Sequence, residues 1–193
     1  KISAGSHYAL KTTPPNKAII EISFEYNNRM YRGKMELRSQ MEEYSVIESE
    51  SREEYEVFTL PLGLHRTSNL GQICLTLYAP YWMINKTGKD LTYKSTDNTE
   101  TIHSATFTGA LLYSSLSKSF FGKQMANLRV CESNWSDKFS LDTVGSSGRV
   151  HCTTKSKMSY EIGVKIDLSS SGLTKIVTFM PYFIIINKAD IDI

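Results

Sequence analysis

Three features predict an all-β chain assembled from tandem antiparallel β-sandwich repeats of about 100 residues. First, Tyr160, Ile162, Val164, Ile166 and Leu168 alternate with Glu161, Gly163, Lys165 and Asp167. That period of two gives an antiparallel strand one buried and one wet face. Second, Ile20, Ile22, Phe24 and Tyr26 alternate with Glu21, Ser23 and Glu25, then meet Asn27-Asn28 and a second strand-like run over 30–37. Asn tolerates the left-handed backbone of a tight hairpin turn. Third, Leu-Tyr-Ala-Pro-Tyr-Trp-Met-Ile-Asn-Lys at 77–86 returns as Phe-Met-Pro-Tyr-Phe-Ile-Ile-Ile-Asn-Lys at 179–188. Asn85 and Asn187 lie 102 residues apart, the length of one sandwich.

The elements follow in order. After the hairpin, residues 39–54 are polar and carry Glu-Ser-Glu-Ser-Arg-Glu-Glu at 48–54, which reads as a solvated loop. Strands are expected at 55–60, 73–86, 91–94, 103–113 and 127–132. Two more, 139–144 and 149–153, flank Gly145-Ser146-Ser147-Gly148, a four-residue turn. The strand over 160–168 and a last one over 175–187 complete the set. Residues 110–116 have room for one helical turn. Short strands punctuated by turns every 8 to 12 residues indicate sandwiches. Counting from the repeated asparagines, one unit covers 1–86 and a second covers 87–193.

Composition narrows the function classes. The 193 residues are 40% hydrophobic and 22% charged, which is ordinary for a globular chain and too apolar for a disordered one. Twenty-two basic residues face 20 acidic ones, for a net charge of +2, so a strongly basic nucleic-acid binder is not expected. No apolar run reaches the ~20 residues of a membrane-spanning helix. The chain opens at Lys1, and a fragment of a longer protein is expected. The three cysteines, Cys74, Cys131 and Cys152, are odd in number and lack a C-x-x-C pair. Cys152 alternates with Val150 on one side of an expected strand and reads as a small buried hydrophobe, which favours a reducing compartment. Two glycosylation sequons, at Asn85 and Asn134, point the other way. The first lies in an apolar strand, where a glycan would be buried.

No nucleophile elbow, H-E-x-x-H, P-loop or dinucleotide glycine pattern occurs. The four histidines, His7, His65, His103 and His151, are scattered. Asp137, Asp142 and Asp167 lack the spacing of a calcium loop. The expectation is a chain without catalytic residues, metal or cofactor. Residues that do suggest contact are aromatic. Pro80-Tyr81-Trp82 and Pro181-Tyr182-Phe183 offer cradles for proline-rich ligands, or core packing at a strand start. Lys118, Phe120, Phe121 and Lys123 form a basic-aromatic cluster suited to a membrane surface or a partner. An asparagine ending an apolar strand can pair with backbone where the chain turns.

Several stretches are long enough to carry a resemblance. Ala79-Pro-Tyr-Trp-Met-Ile-Asn-Lys-Thr-Gly88, Asp137-Lys-Phe-Ser-Leu-Asp-Thr-Val-Gly-Ser-Ser-Gly148 and Tyr160-Glu-Ile-Gly-Val-Lys-Ile-Asp-Leu-Ser-Ser170, followed by Thr174-Lys-Ile-Val-Thr178, resemble the vacuolar protein sorting thirteen family. The resemblance covers about residue 73 to the end. The first 70 residues join it by continuity alone. Among the family's forms, the vertebrate form lettered D is the expectation. The resemblance implies a segment of the adaptor-binding domain, a string of similar β-sandwich repeats in very long bridge-like lipid-transfer proteins. Each repeat carries an asparagine like Asn85 and Asn187.

It also implies the partners, which are organelle adaptor proteins with proline-x-proline motifs. Membrane association would be indirect, through those adaptors, and lipid cargo would travel elsewhere in the full chain. The setting would be cytoplasmic and peripheral, at contact sites of mitochondria, endoplasmic reticulum, endosomes or lysosomes. Candidate contacts are Tyr81, Trp82, Tyr182, Phe183, Phe120 and Phe121. Two readings compete: a structural spacer repeat with no ligand, and an extracellular adhesion-type sandwich.

Overall fold

The computed structural model describes residues 2, 3, 5, 6, 8, 9, 18–38, 40–114, 124–189 and 191. Within them there are strands and turns but no helix. The first sheet has five strands in sequence order: β1 (Ala18–Tyr26), β2 (Arg29–Leu37), β3 (Tyr44–Glu53), β4 (Glu56–Asn69) and β5 (Gln72–Tyr78). The β1–β2 hairpin is the one the alternation predicts. Asn27 and Asn28 take φ of 51° and 58°, the left-handed pair a two-residue hairpin turn needs. Glycines let strands approach at two points of this sheet. A Cβ on Gly33 would stand 2.7 Å from Ser49 Oγ, and one on Gly63 would stand 2.4 Å from the Tyr78 ring.

The rest of the chain closes a two-sheet sandwich. One sheet runs β11 (Phe139–Ser140), β10 (Met125–Val130), β7 (Leu91–Ser95), β8 (Glu100–His103). The other runs β12 (Ser147–Thr153), β13 (Ser159–Leu168), β14 (Lys175–Pro181), β6 (Tyr81–Asn85), β9 (Leu111–Tyr113). All pairs are antiparallel except β14 with β6, which run parallel from Lys175↔Tyr81 to Phe179↔Asn85. Between the sheets lie Met83, Leu91, Tyr93, Leu128, Val130, Cys152, Val177 and Phe179, each with no solvent exposure. Cys152 behaves as the small hydrophobe expected, with burial pushing its thiol up to about 11. Cys74 and Cys131 are exposed. The five-stranded sheet touches the sandwich through Tyr26. Its hydroxyl accepts from the Leu112 amide at 2.9 Å and donates to the Ala110 carbonyl at 3.3 Å.

The structure departs from the expected elements in six places. Residues 44–53 are a strand, not a solvated loop. β4 continues nine residues beyond the expected end at Leu60, to Asn69. The run 73–86 is two strands broken at Ala79-Pro80, and 103–113 is likewise two, separated by a turn. β14 ends at Pro181, so 182–187 is not in a strand. Phe139–Ser140 pairs with β10 rather than β12, so the segment before Ser147 crosses between sheets instead of forming a hairpin. β6, which precedes residue 86, lies inside a sheet of the sandwich, between β14 and β9.

Candidate functional site

The two repeated asparagines build the same local structure. At the end of β6, Asn85 Nδ2 donates to the Lys89 carbonyl at 2.8 Å. Its Oδ1 accepts from the Thr87 amide at 3.0 Å and the Thr87 hydroxyl at 2.7 Å. Asn187 Nδ2 donates to the Ile191 carbonyl at 2.8 Å, and its Oδ1 accepts from the Ala189 amide at 2.8 Å. Each side chain therefore bridges the residues two and four positions ahead and closes a tight loop, which at Asn85 leaves the end of β6. Serine has no amide donor and a shorter arm, so it cannot span both partners. We expect Asn85→Ser to cost about 1–3 kcal/mol. Asn187→Ser, at a loop with exposed surroundings, should cost less. Paired urea denaturation curves check this, and equal midpoints for wild type and Asn85→Ser would contradict it.

The aromatic candidates separate by position. Tyr81 is 5% exposed. Its hydroxyl donates to Asp142 Oδ1 at 2.6 Å. Lys175 Nζ reaches the same oxygen at 2.5 Å, and the Gln124 amide donates to Oδ2. Burial alone would raise the Asp142 carboxyl. Hydrogen bonds from Lys175, Tyr81 and Gln124 outweigh it and hold the group below its ordinary value. Tyr81 thus belongs to a knot joining β6, β14 and the 141–146 crossover, not to a free surface. In the sequence Asp142 stands out only as one of three scattered aspartates. The two partners that give it a role, Tyr81 and Lys175, lie 61 and 33 residues away in the chain.

Trp82, next to Tyr81 on β6, faces outward and is 38% exposed, while Tyr182 and Phe183 are 48% and 70% exposed. The Tyr182 and Phe183 rings meet edge to face at 5.0 Å. Ile184, Ile185 and Ile186 continue this exposed apolar run up to Asn187. Phe120 and Phe121 lie outside the described residues.

Of the histidines, His103 is buried, with Nδ1 2.8 Å from the Tyr93 hydroxyl. Burial holds its imidazole down at about 4. His65 stacks on Tyr44 at 4.5 Å. His151 sits 2.7 Å from Glu161. His7 is outside the described residues. Among the described residues no three His, Cys, Asp or Glu side chains are grouped to hold a metal ion.

Strand order, which no local sequence pattern encodes, leaves the sandwich an open edge. β12 is an edge strand, paired on one side with β13. Thr154 N bonds to Met158 O and Ile166 N to Ser146 O across this pair. Even-numbered residues of β12 therefore face β13, and Ser147, Arg149, His151 and Thr153 turn their backbone groups outward. Thr153 O accepts from the Asn134 amide at 2.7 Å. Among the described residues no strand pairs with the remainder of that edge. Beside it, a shallow groove of about 350 Å³ crosses the outer face of the sheet. Gly163 lies at its middle, Arg149 and Lys165 rim it, and Met180, Pro181 and Tyr182 form its far wall.

Comparison with known proteins gives this geometry a context. Residues 17–193 match the family described as vacuolar-sorting associated protein 13, adaptor binding domain. The mouse intermembrane lipid transfer protein VPS13A is 38% identical over 165 residues, covering 86% of this chain and 5% of its own length. Human intermembrane lipid transfer protein VPS13C is 36% identical over 169 residues, covering 88% and 4%. Intermembrane lipid transfer protein vps13E of Dictyostelium discoideum is 26% identical, covering 74% and 5%. The chain thus spans 4–5% of the length of these relatives.

Proposed function

The chain belongs to the adaptor-binding domain family of vacuolar-sorting associated protein 13, and on that premise we propose that it is a non-catalytic adaptor-binding module. It binds proline-x-proline peptides of organelle adaptors by strand addition. In doing so it helps target a bridge-like lipid-transfer protein to membrane contact sites of mitochondria, endoplasmic reticulum, endosomes or lysosomes. The protein is cytoplasmic and peripheral there, held to membranes through its adaptors, and the lipid travels in other parts of the full chain.

The observation that carries this reading is the open edge of β12 beside the exposed Tyr182-Phe183 pair. An edge strand offers backbone donors and acceptors to an extended peptide, and alternate side chains of the peptide select pockets. Proline restricts the free peptide and so reduces the ordering cost of binding. Trp82, Tyr182 and Phe183 are the contact candidates, with Phe120 and Phe121 of the same class. Tyr81 would act from beneath by fixing β6. The two-repeat division, residues 1–86 and 87–193, belongs to this proposal, with β6 of the first unit completing a sheet of the second.

A labelled proline-x-proline peptide titrated against the folded chain tests it. We expect saturable binding near micromolar Kd, about −8 kcal/mol, that is lost when the prolines are scrambled. A folded chain that binds neither peptide would be a spacer repeat instead.

A further inference from the structure

The β12 edge has a charge character that the proline motif does not use. From Gly145 to Tyr160 the chain carries Arg149, Lys155 and Lys157 and no carboxylate. Arg149 stands on the edge itself, 55% exposed, with Lys165 equally exposed on the next strand. The carboxylates facing them come from β13. Glu161 lies 2.7 Å from His151 and 3.4 Å from the Arg149 guanidinium, and Asp167 lies 2.9 Å from Lys165. Glu161 is thus shared between two groups. Its Oε2, the atom nearest Arg149, makes no hydrogen bond. Arg149 also lies over the Tyr182 ring at 5.6 Å. A guanidinium with one long ion pair and an aromatic face beside it keeps donors available for a second carboxylate.

The groove adds a place for an apolar side chain. Gly163 brings no side chain to the sheet face between Arg149 and Met180, whose positions it joins in register. A Cβ there would already stand 3.2 Å from Met180 Cγ. Resting on the strand-addition reading above, we propose that the outer edge of β12 selects an acidic extended segment. Backbone groups of the segment pair with Ser147, Arg149 and His151. A peptide carboxylate meets Arg149, and an apolar side chain or proline ring lies in the groove over Gly163. The adaptor would therefore carry Asp or Glu beside its prolines, on alternate residues that share one face of the added strand.

The test uses the whole 193-residue chain and three labelled peptides that keep the same proline-x-proline core. Their flanking alternate residues are Glu, Gln or Lys. The acidic peptide should bind about fivefold more tightly than the Gln peptide at low salt, the size of one or two exposed ion pairs. Raising the salt should shrink that advantage. Two variants locate the site. Arg149→Glu should abolish the preference for Glu over Gln. His151→Pro removes an outward amide that no β13 partner uses, a position where an edge strand tolerates proline. It should weaken all three peptides while melting near wild type. If His151→Pro does not fold, the Arg149→Glu result decides alone.

Proline-dependent binding with no charge preference would overturn the acidic-edge proposal and leave the adaptor reading standing. So would a preference unchanged in Arg149→Glu. Failure of all three peptides on a folded chain would overturn both.

Discussion

Replacing Phe179 by alanine should remove about 3–5 kcal/mol of stability. The side chain has no solvent exposure, and its ring lies 5.0 Å from Tyr93 and 6.3 Å from Phe139. Phe179 sits on β14, the strand between β13 and the parallel β6. Its carbonyl also accepts from the Lys86 amide at 2.8 Å, where the Asn85 loop begins. Truncation leaves a ring-sized void bounded by both sheets, and the flanking strands cannot close it without breaking their ladders. Each kcal/mol shifts the Tm of a domain this size by about 2–4 °C, so a fall of roughly 10 °C is expected by circular dichroism. Phe183→Ala provides the contrast. That ring is 70% exposed, and its loss should stay within about 0.5 kcal/mol. A Phe179→Ala melt indistinguishable from that of Phe183→Ala would mean the sandwich core is not packed as described.

The contrast between these two phenylalanines also marks what a sequence can reveal here. Both lie in a stretch rich in apolar residues, and the sequence reading assigns both to one strand over 175–187. Only pairing separates them. β14 has neighbours on both sides up to Phe179, after which β6 has turned away at Asn85. Alternation over 160–168 was legible because β13 faces the core with Ile162, Val164 and Ile166 and water with Lys165.

The strand over 44–53 was hidden by the opposite circumstance. Its inward positions include Ser49 and Ser51, 0% and 5% exposed. Gly33 approaches so closely that only a small residue fits opposite it. With serine inside and Glu48, Glu50 and Arg52 outside, the period of two disappears into a uniformly polar run. The asparagine loops were readable because their bonds span only two to four residues. The Asp142 knot and the β12 edge depend on contacts across the sandwich and on strand order, which no local pattern encodes.

That knot carries the second large effect. Asp142→Ala strands the Tyr81 hydroxyl in a buried position and leaves Lys175 Nζ, only 29% exposed, without its carboxylate. The Gln124 amide loses its acceptor as well. Truncating one member of a partly buried charged network exposes the desolvation cost of the rest, here on the order of 3 kcal/mol.

The pH dependence has a definite sign. The folded-state carboxyl is held below its ordinary value of 3.8 despite the opposing effect of burial. Its ionised form therefore stabilises the fold above that value, and the contribution is lost as pH falls through the lower folded-state value. Asp142→Asn cannot ionise and has no such loss. The gap in Tm between wild type and Asp142→Asn should be wide near neutral pH and narrow below about pH 4.

Lys175→Met separates the charge from the hydrogen bonds. It leaves Tyr81 and Gln124 donating to Asp142 while removing the cation, so the carboxyl should titrate nearer its ordinary value. The acid-induced loss of stability would then be smaller than in wild type and complete at higher pH. A gap between wild type and Asp142→Asn that stays constant from neutral pH into acid would show that Asp142 does not titrate as part of this knot.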